Sequence, residues 1–158
     1  MIIGMGLISV LAKAQHKAES FSEYVESGAT IEHLDSVYKS AVHTDTALAV
    51  FKNESEQLNL GVAYIHLLKD LGKFLKENDF KWGKATKGFN RIYFAKDGSI
   101  DYFLYNFSMK SIEEKDRPSK EKVEQFKTLL NKFIATYKIS MTADVSFAQC
   151  SPVTYIDW

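Results

Sequence analysis

Nine of the 28 residues in 80–107 are aromatic: Phe80, Trp82, Phe89, Tyr93, Phe94, Tyr102, Phe103, Tyr105 and Phe107. Two β-prone runs, 90–95 and 99–107, flank Lys96-Asp97-Gly98, and this arrangement predicts a β-hairpin. A three-residue loop with Gly98 left-handed pairs Phe94 with Ile100, Ile92 with Tyr102 and Asn90 with Leu104. It gathers Ile92, Phe94, Ile100, Tyr102 and Leu104 on one face. Arg91 then falls near Asp101 on the other face, with Tyr93, Phe103 and Tyr105 pointing outward. A two-residue loop would set Phe94 against Asp101, a poorer match. A sheet with one apolar face needs a layer to cover it.

Two helices can supply that layer. Asn53-Glu54-Ser55-Glu56 reads as an N-cap with an acidic residue three positions on. The helix it opens is expected to run from Glu54 to Glu77 and stop at Asn78-Asp79. Its apolar stripe is read as Leu58, Val62, Ile65, Leu68, Leu71 and Leu75. Gly61 and Gly72 lie inside it, each costing up to about 1 kcal/mol against alanine, which suggests close approach by a neighbouring element. Residues 108–117 form a charged connection, and Pro118 starts a second helix. Val123, Phe126, Leu129, Leu130, Phe133, Ile134 and Tyr137 make its apolar stripe.

Met141, Ala143, Val145 and Phe147 alternate with Thr142, Asp144, Ser146 and Ala148, which predicts a half-buried strand. Cys150-Ser151-Pro152 should break it, with Val153 to Ile156 continuing as a short edge strand. Upstream, Phe21, Tyr24, Val25, Ile31, Leu34, Val37 and Tyr38 recur at helical spacing, and Gly28-Ala29-Thr30 separates two short helices. The fold expected is therefore α+β: a helical N-terminal half packed on an antiparallel sheet of three or four strands. Residues 15–52 would be a helical arm and 53–158 the α+β domain.

The first twelve residues hold a short apolar run, followed by Ala12-Lys13-Ala14-Gln15. The run is about half the ~20 apolar residues of a membrane-spanning helix. A small-x-small junction after it reads as a secretory signal peptide, residues 1–14, cleaved after Ala14. No basic residue precedes the run, and burial as a first helix or strand is the competing reading. Export would place the protein in the periplasm or outside the cell, without stable membrane insertion after cleavage. Cys150 is the single cysteine, so no intramolecular disulfide can form.

Charge and motif searches then narrow the function. Lys plus Arg and Asp plus Glu are 20 each, for a net charge of zero. Only Arg91 and Arg117 are arginines, so nothing supplies the field or the bidentate forks of a nucleic-acid binder. His16, His33, His43 and His66 show no His-Glu-x-x-His spacing, and no metal site or cofactor is expected. Ser36-Val37-Tyr38-Lys39 and Ser119-Lys120-Glu121-Lys122 fit Ser-x-x-Lys as chance matches without companion motifs. Lys81, Lys84 and Lys87 interleave with Trp82 and Phe89, as a stacking surface for a polymer would. The favoured reading places those rings in the core.

The order hairpin, helix, strand over residues 90–150 resembles the C-terminal domain of TonB-type energy transducers. The matching parts are the turn at Asp97-Gly98, the helix with Leu129, Leu130 and Phe133 inward, and the strand at Met141 to Phe147. No Pro-rich spacer accompanies them, so the resemblance implies a periplasmic interaction module rather than force transduction. The chain also resembles small secreted proteins of gram-negative bacteria with an Ala-Gln junction. The function expected is non-catalytic binding of another protein in the cell envelope. Its contact surface would be an open sheet edge, at Val153 to Ile156 or the outer hairpin strand, with Tyr93, Phe103, Tyr105, Arg91 and Asp101 contributing. The alternatives are an enzyme with a site scattered in sequence, built from Asp101, Arg91, His66 and Tyr93, and an assembly subunit that self-associates through residues 15–52.

Overall fold

A computed structural model describes residues 16–158; the expected leader and its cleavage junction lie outside the described residues. In chain order the elements are β1 (Lys17–Ser20), α1 (Phe21–Glu26), α2 (Ile31–Val37), β2 (Lys39–Ser40), α3 (Glu54–Glu77), β3 (Thr86–Phe94), β4 (Ile100–Asn106), α4 (Lys120–Ile134) and β5 (Phe147–Tyr155). The helices start where local chemistry satisfies their first N–H groups. Asn53 accepts the Glu56 N–H, and Glu56 reaches back to the Asn53 N–H, closing the expected capping box of α3. Ser119 caps α4, so Pro118 stands just outside the helix it was expected to begin. Thr30 and Ser20 cap the two short helices.

The fold is α+β, with one mixed five-stranded sheet in the order β1-β4-β3-β5-β2. The antiparallel centre, β4-β3-β5, follows the expectation, but the parallel outer strands β1 and β2 correct it. Both come from the segment expected to be wholly helical. At four and two residues they are too short to show an alternation of their own, and only the sheet edges recruit them. Helices cover both faces. On one, α3 and α4 bury Leu60, Leu67, Leu71, Phe126, Leu130 and Ile134 against Ile92, Phe94, Phe103 and Tyr105. On the other, α1 and α2 set Tyr24 and Leu34 against Tyr93, Leu104 and Ala148.

Hairpin pairing begins as expected, with Phe94 opposite Ile100 across the Lys96-Asp97-Gly98 loop. It then slips by one at a bulge: Tyr93 faces Tyr102, Ile92 faces Phe103 and Asn90 faces Tyr105. Asp101 is the extra residue, and a bulge turns every later side chain of β4 to the opposite face. Tyr102 and Leu104 therefore leave the large core, and Phe103, Tyr105 and Phe107 enter it. Tyr93, Phe103 and Tyr105, expected outward, are 0%, 0% and 1% exposed. Tyr93 keeps its expected face, but α2 covers it. The outer hairpin strand is no edge either, because β1 pairs along β4 from Tyr102 to Tyr105.

Two further expectations change. Residues 141–146 form no strand, and β5 runs unbroken through Cys150, Ser151 and Pro152. The ladder with β3 starts at Phe94 opposite Phe147, because β3 ends there to turn the hairpin. Met141 and Ala143 instead pack around the hairpin tip, where the Ala143 N–H donates to the Lys96 carbonyl. Helix α3 has the expected ends and buries Leu71 and Leu75 as expected, but its first half buries Leu60, Ala63 and Leu67 instead of the expected residues. Leu58, Val62 and Ile65 stay in solvent, at 64%, 56% and 52% exposure.

Gly98 has φ +83°, and a Cβ built there would lie 2.6 Å from the Ile139 carbonyl and 2.7 Å from that of Met141. Backbone cannot step aside cheaply, and the left-handed conformation itself disfavours any side chain. Gly98→Ala is expected to destabilise the fold by about 2 kcal/mol or more, read from the urea midpoint. An unchanged midpoint would mean the tip does not pack on residues 139–141.

Candidate interaction surface

The second sheet face gathers three of the residues singled out from sequence. Arg91 donates from Nη2 to Asp35 of α2 at 2.9 Å, and the Tyr93 hydroxyl donates to the same carboxylate at 3.1 Å. Asp101, placed inward by the bulge, accepts the Tyr38 hydroxyl at 2.8 Å. Tyr38, Tyr93, Tyr102 and Tyr24 meet edge-on, with centroids 5.1–6.5 Å apart. Burial pushes the Tyr38 phenol far above its ordinary value, and the Asp101 carboxylate adds to the shift. Burial likewise raises Tyr93, with Arg91 opposing and Asp35 reinforcing. These polar groups seat α2 on the sheet. His66 lies on α3, over the opposite face, so Asp101, Arg91, His66 and Tyr93 do not converge. Phe103 and Tyr105 are also on that opposite face, inside the core.

Trp82 is buried among Phe80, Phe107, Phe126 and Tyr155, with centroids 4.9–5.5 Å away, so the ring between the lysines is a core residue. Asp157 holds the segment before β3 in place, accepting the Trp82 N–H at 2.6 Å and the Gly83 N–H at 3.0 Å. An open groove of about 780 Å³ beside β2 is lined by Lys39, His43 and Lys52 but also by Asp35, Glu56 and Asp144. Its mixed charge selects no ligand class. Among the described residues no cluster of His, Cys, Asp and Glu is placed to hold a metal ion.

The two sides of the sheet are finished differently. Along β1, Asn131 of α4 acts as a substitute strand: the Ala18 N–H donates to Oδ1 at 2.9 Å, and Nδ2 donates to the Ala18 carbonyl at 2.8 Å. On the other side, β2 covers β5 only at Phe147 and Ala148. The Ala41 N–H donates to the Ala148 carbonyl, so even-numbered residues of β5 turn their backbone groups away from β3. From Gln149 to Tyr155 that side carries no neighbouring strand. Cys150 and Thr154 offer their N–H groups there, the Cys150 carbonyl accepting from Gln149 Nε2 at 3.4 Å, while Pro152 has no N–H to offer, the usual place for proline in a sheet. The alternation expected to stop at Cys150 conceals this: the outward side chains Cys150, Pro152 and Thr154 are exposed, and Ser151 and Val153 are half-buried.

Cys150 sits opposite Arg91 across the β3–β5 ladder. Desolvation nevertheless raises its thiol, outweighing the guanidinium, so no activated thiolate results. Beside the free edge, Ile156 and Trp158 are half-exposed and continue toward the exposed stripe of α3 through Ile65 and Leu68. Trp158 explains one of the two helix glycines. A Cβ on Gly72 would lie 2.1 Å from its indole nitrogen, whereas one on Gly61 would meet nothing within 4 Å. Among the described residues no helix is long and apolar enough to cross a membrane. The chain matches no family model, and no curated protein or solved structure matches it.

Proposed function

We propose that the protein is a non-catalytic interaction module that takes up an extended segment of another protein along the free part of β5. One observation carries this reading: residues 149–155 form a sheet edge that no strand of the described chain pairs, while on the opposite edge Asn131 satisfies both backbone groups of Ala18. An added strand would gain main-chain hydrogen bonds at Cys150 and Thr154, and its side chains would meet Ile156 and Trp158 beside the edge. Pro152 limits the edge, leaving two donors rather than three, which disfavours indiscriminate strand pairing. The apolar N-terminal run with its Ala-Lys-Ala-Gln junction supports a periplasmic or secreted location, and with it a partner in the cell envelope. The likeness to TonB C-terminal domains, which are also envelope modules, rests on the hairpin and α4, since the strand expected at Met141 to Phe147 does not form and β5 follows it instead.

A photocrosslinker on the native Cys150 tests the edge directly, since the residue is exposed and is the single cysteine. Irradiation in the envelope fraction is expected to give one discrete adduct. Thr154→Pro removes the second outward N–H without touching the large core, and it should abolish the adduct while the melting temperature stays put. Equal adducts from both proteins, or none from wild type, would overturn the reading.

A further inference from the structure

The apolar stripe left in solvent on α3 has an internal symmetry. Leu58, Val62, Ile65 and Lys69 follow one another at steps of four and three on a single helix face, with Gly61 beside Val62 and Glu54 one turn before Leu58. All six are exposed. Turned end for end about a point between Gly61 and Val62, the stripe superposes on itself. Gly61 then faces Val62, Leu58 faces Ile65, and Glu54 faces Lys69. Shifting the register by one residue either way loses this match, setting Glu54 against Leu68 or Asp70. Among the described residues, neither Glu54 nor Lys69 forms an ion pair within the chain.

Gly61 lies at the centre of this stripe. A glycine in a helix interior costs about 1 kcal/mol, and Gly72 has its reason in the Trp158 indole stacked on it. Among the described residues, nothing beyond its own helix backbone comes within 4 Å of a Cβ at Gly61. A missing side chain at the centre of an exposed apolar stripe lets another helix approach closely, and here the valine beside it supplies the matching knob.

We propose that α3 packs antiparallel against α3 of a second copy of this chain, about a two-fold axis between Gly61 and Val62. The contact is isologous, so it closes at a dimer. Its core is Leu58, Val62 and Ile65 from each copy, and its ends are the two Glu54–Lys69 pairs. This goes beyond strand uptake at β5 and does not depend on it: Thr154→Pro probes the edge, and substitutions on α3 probe the helix pair.

Sedimentation equilibrium of the full chain is expected to show a reversible dimer. Val62→Glu should leave a folded monomer, since it buries an unpaired carboxylate opposite Gly61. Glu54→Lys and Lys69→Glu should each weaken the dimer about threefold to tenfold, and combining them should restore it. Gly61→Leu separates a dimer contact from a helix defect. It is expected to raise the melting temperature of the dilute monomer while weakening dimerisation about tenfold or more. A wild type that stays monomeric up to its solubility limit, a dimer that survives Val62→Glu, or a double charge reversal that fails to rescue would each overturn the proposal.

Discussion

Phe126→Ala is expected to destabilise the protein by about 4 kcal/mol, close to the whole stability of a marginal domain of this size. Phe126 is fully buried, and five rings surround it: Phe80, Trp82, Tyr105, Phe107 and Tyr155, with centroids 4.9–6.2 Å away. They come from the approach to β3, from β4, from the segment after it and from β5. Removing the central ring therefore opens a cavity that no single element can close by shifting. Phe126→Leu keeps most of the volume and should cost less than half as much. Urea unfolding of the three proteins checks the ranking. If Phe126→Ala moved the midpoint no further than Phe126→Leu, the ring cluster would not be the centre of the core.

The second large effect is alkaline unfolding. All eight tyrosines are held above their ordinary value, and in each case burial is the first cause. Tyr137 is pushed up to about 12, with Asp70 adding to burial. Tyr155 goes well above its usual range inside the core, where its hydroxyl donates to Asn90 at 2.8 Å. Raised folded values mean that the native state keeps protons the unfolded chain has lost. The stabilisation is therefore complete below pH ~10 and disappears as the pH climbs toward the folded values. Each withheld ionisation costs about 1.4 kcal/mol per pH unit above that point, so several acting together make the loss steep. Absorbance at 295 nm should show little phenolate near pH ~10 and then a cooperative rise coincident with loss of the far-ultraviolet signal. A gradual titration of most phenols at the ordinary value, in a chain still folded, would contradict this packing.

Local chemistry made a good part of the architecture legible in the sequence. The cap at Asn53 and Glu56, the stop at Asn78, the turn at Lys96-Asp97-Gly98 and the inward residues of α4 each depend on neighbours within a few positions. An N-cap or a left-handed glycine acts over one turn of chain, so a reader of residues can find it. Pro152 misled for the same reason: read locally it breaks a strand, whereas β5 carries it at an edge position where no N–H is needed.

Longer-range choices lay beyond that horizon. The bulge at Asp101 is decided where β4 meets β1, β3 and Tyr38, partners that are remote from it in the chain or across the hairpin. It reversed the exposure expected of Phe103 and Tyr105. Alternation at 141–147 marks one wet and one apolar side, but a strand also needs a ladder partner, and β3 ends before one is reached. Helix α3 carries two apolar stripes of similar spacing, Leu58-Val62-Ile65 and Leu60-Ala63-Leu67-Leu71. Periodicity cannot rank them, because both satisfy a helical repeat. Packing buried the stripe that meets the rings of β3 and β5 and left the other in solvent, because one helix can turn only one face to a sheet.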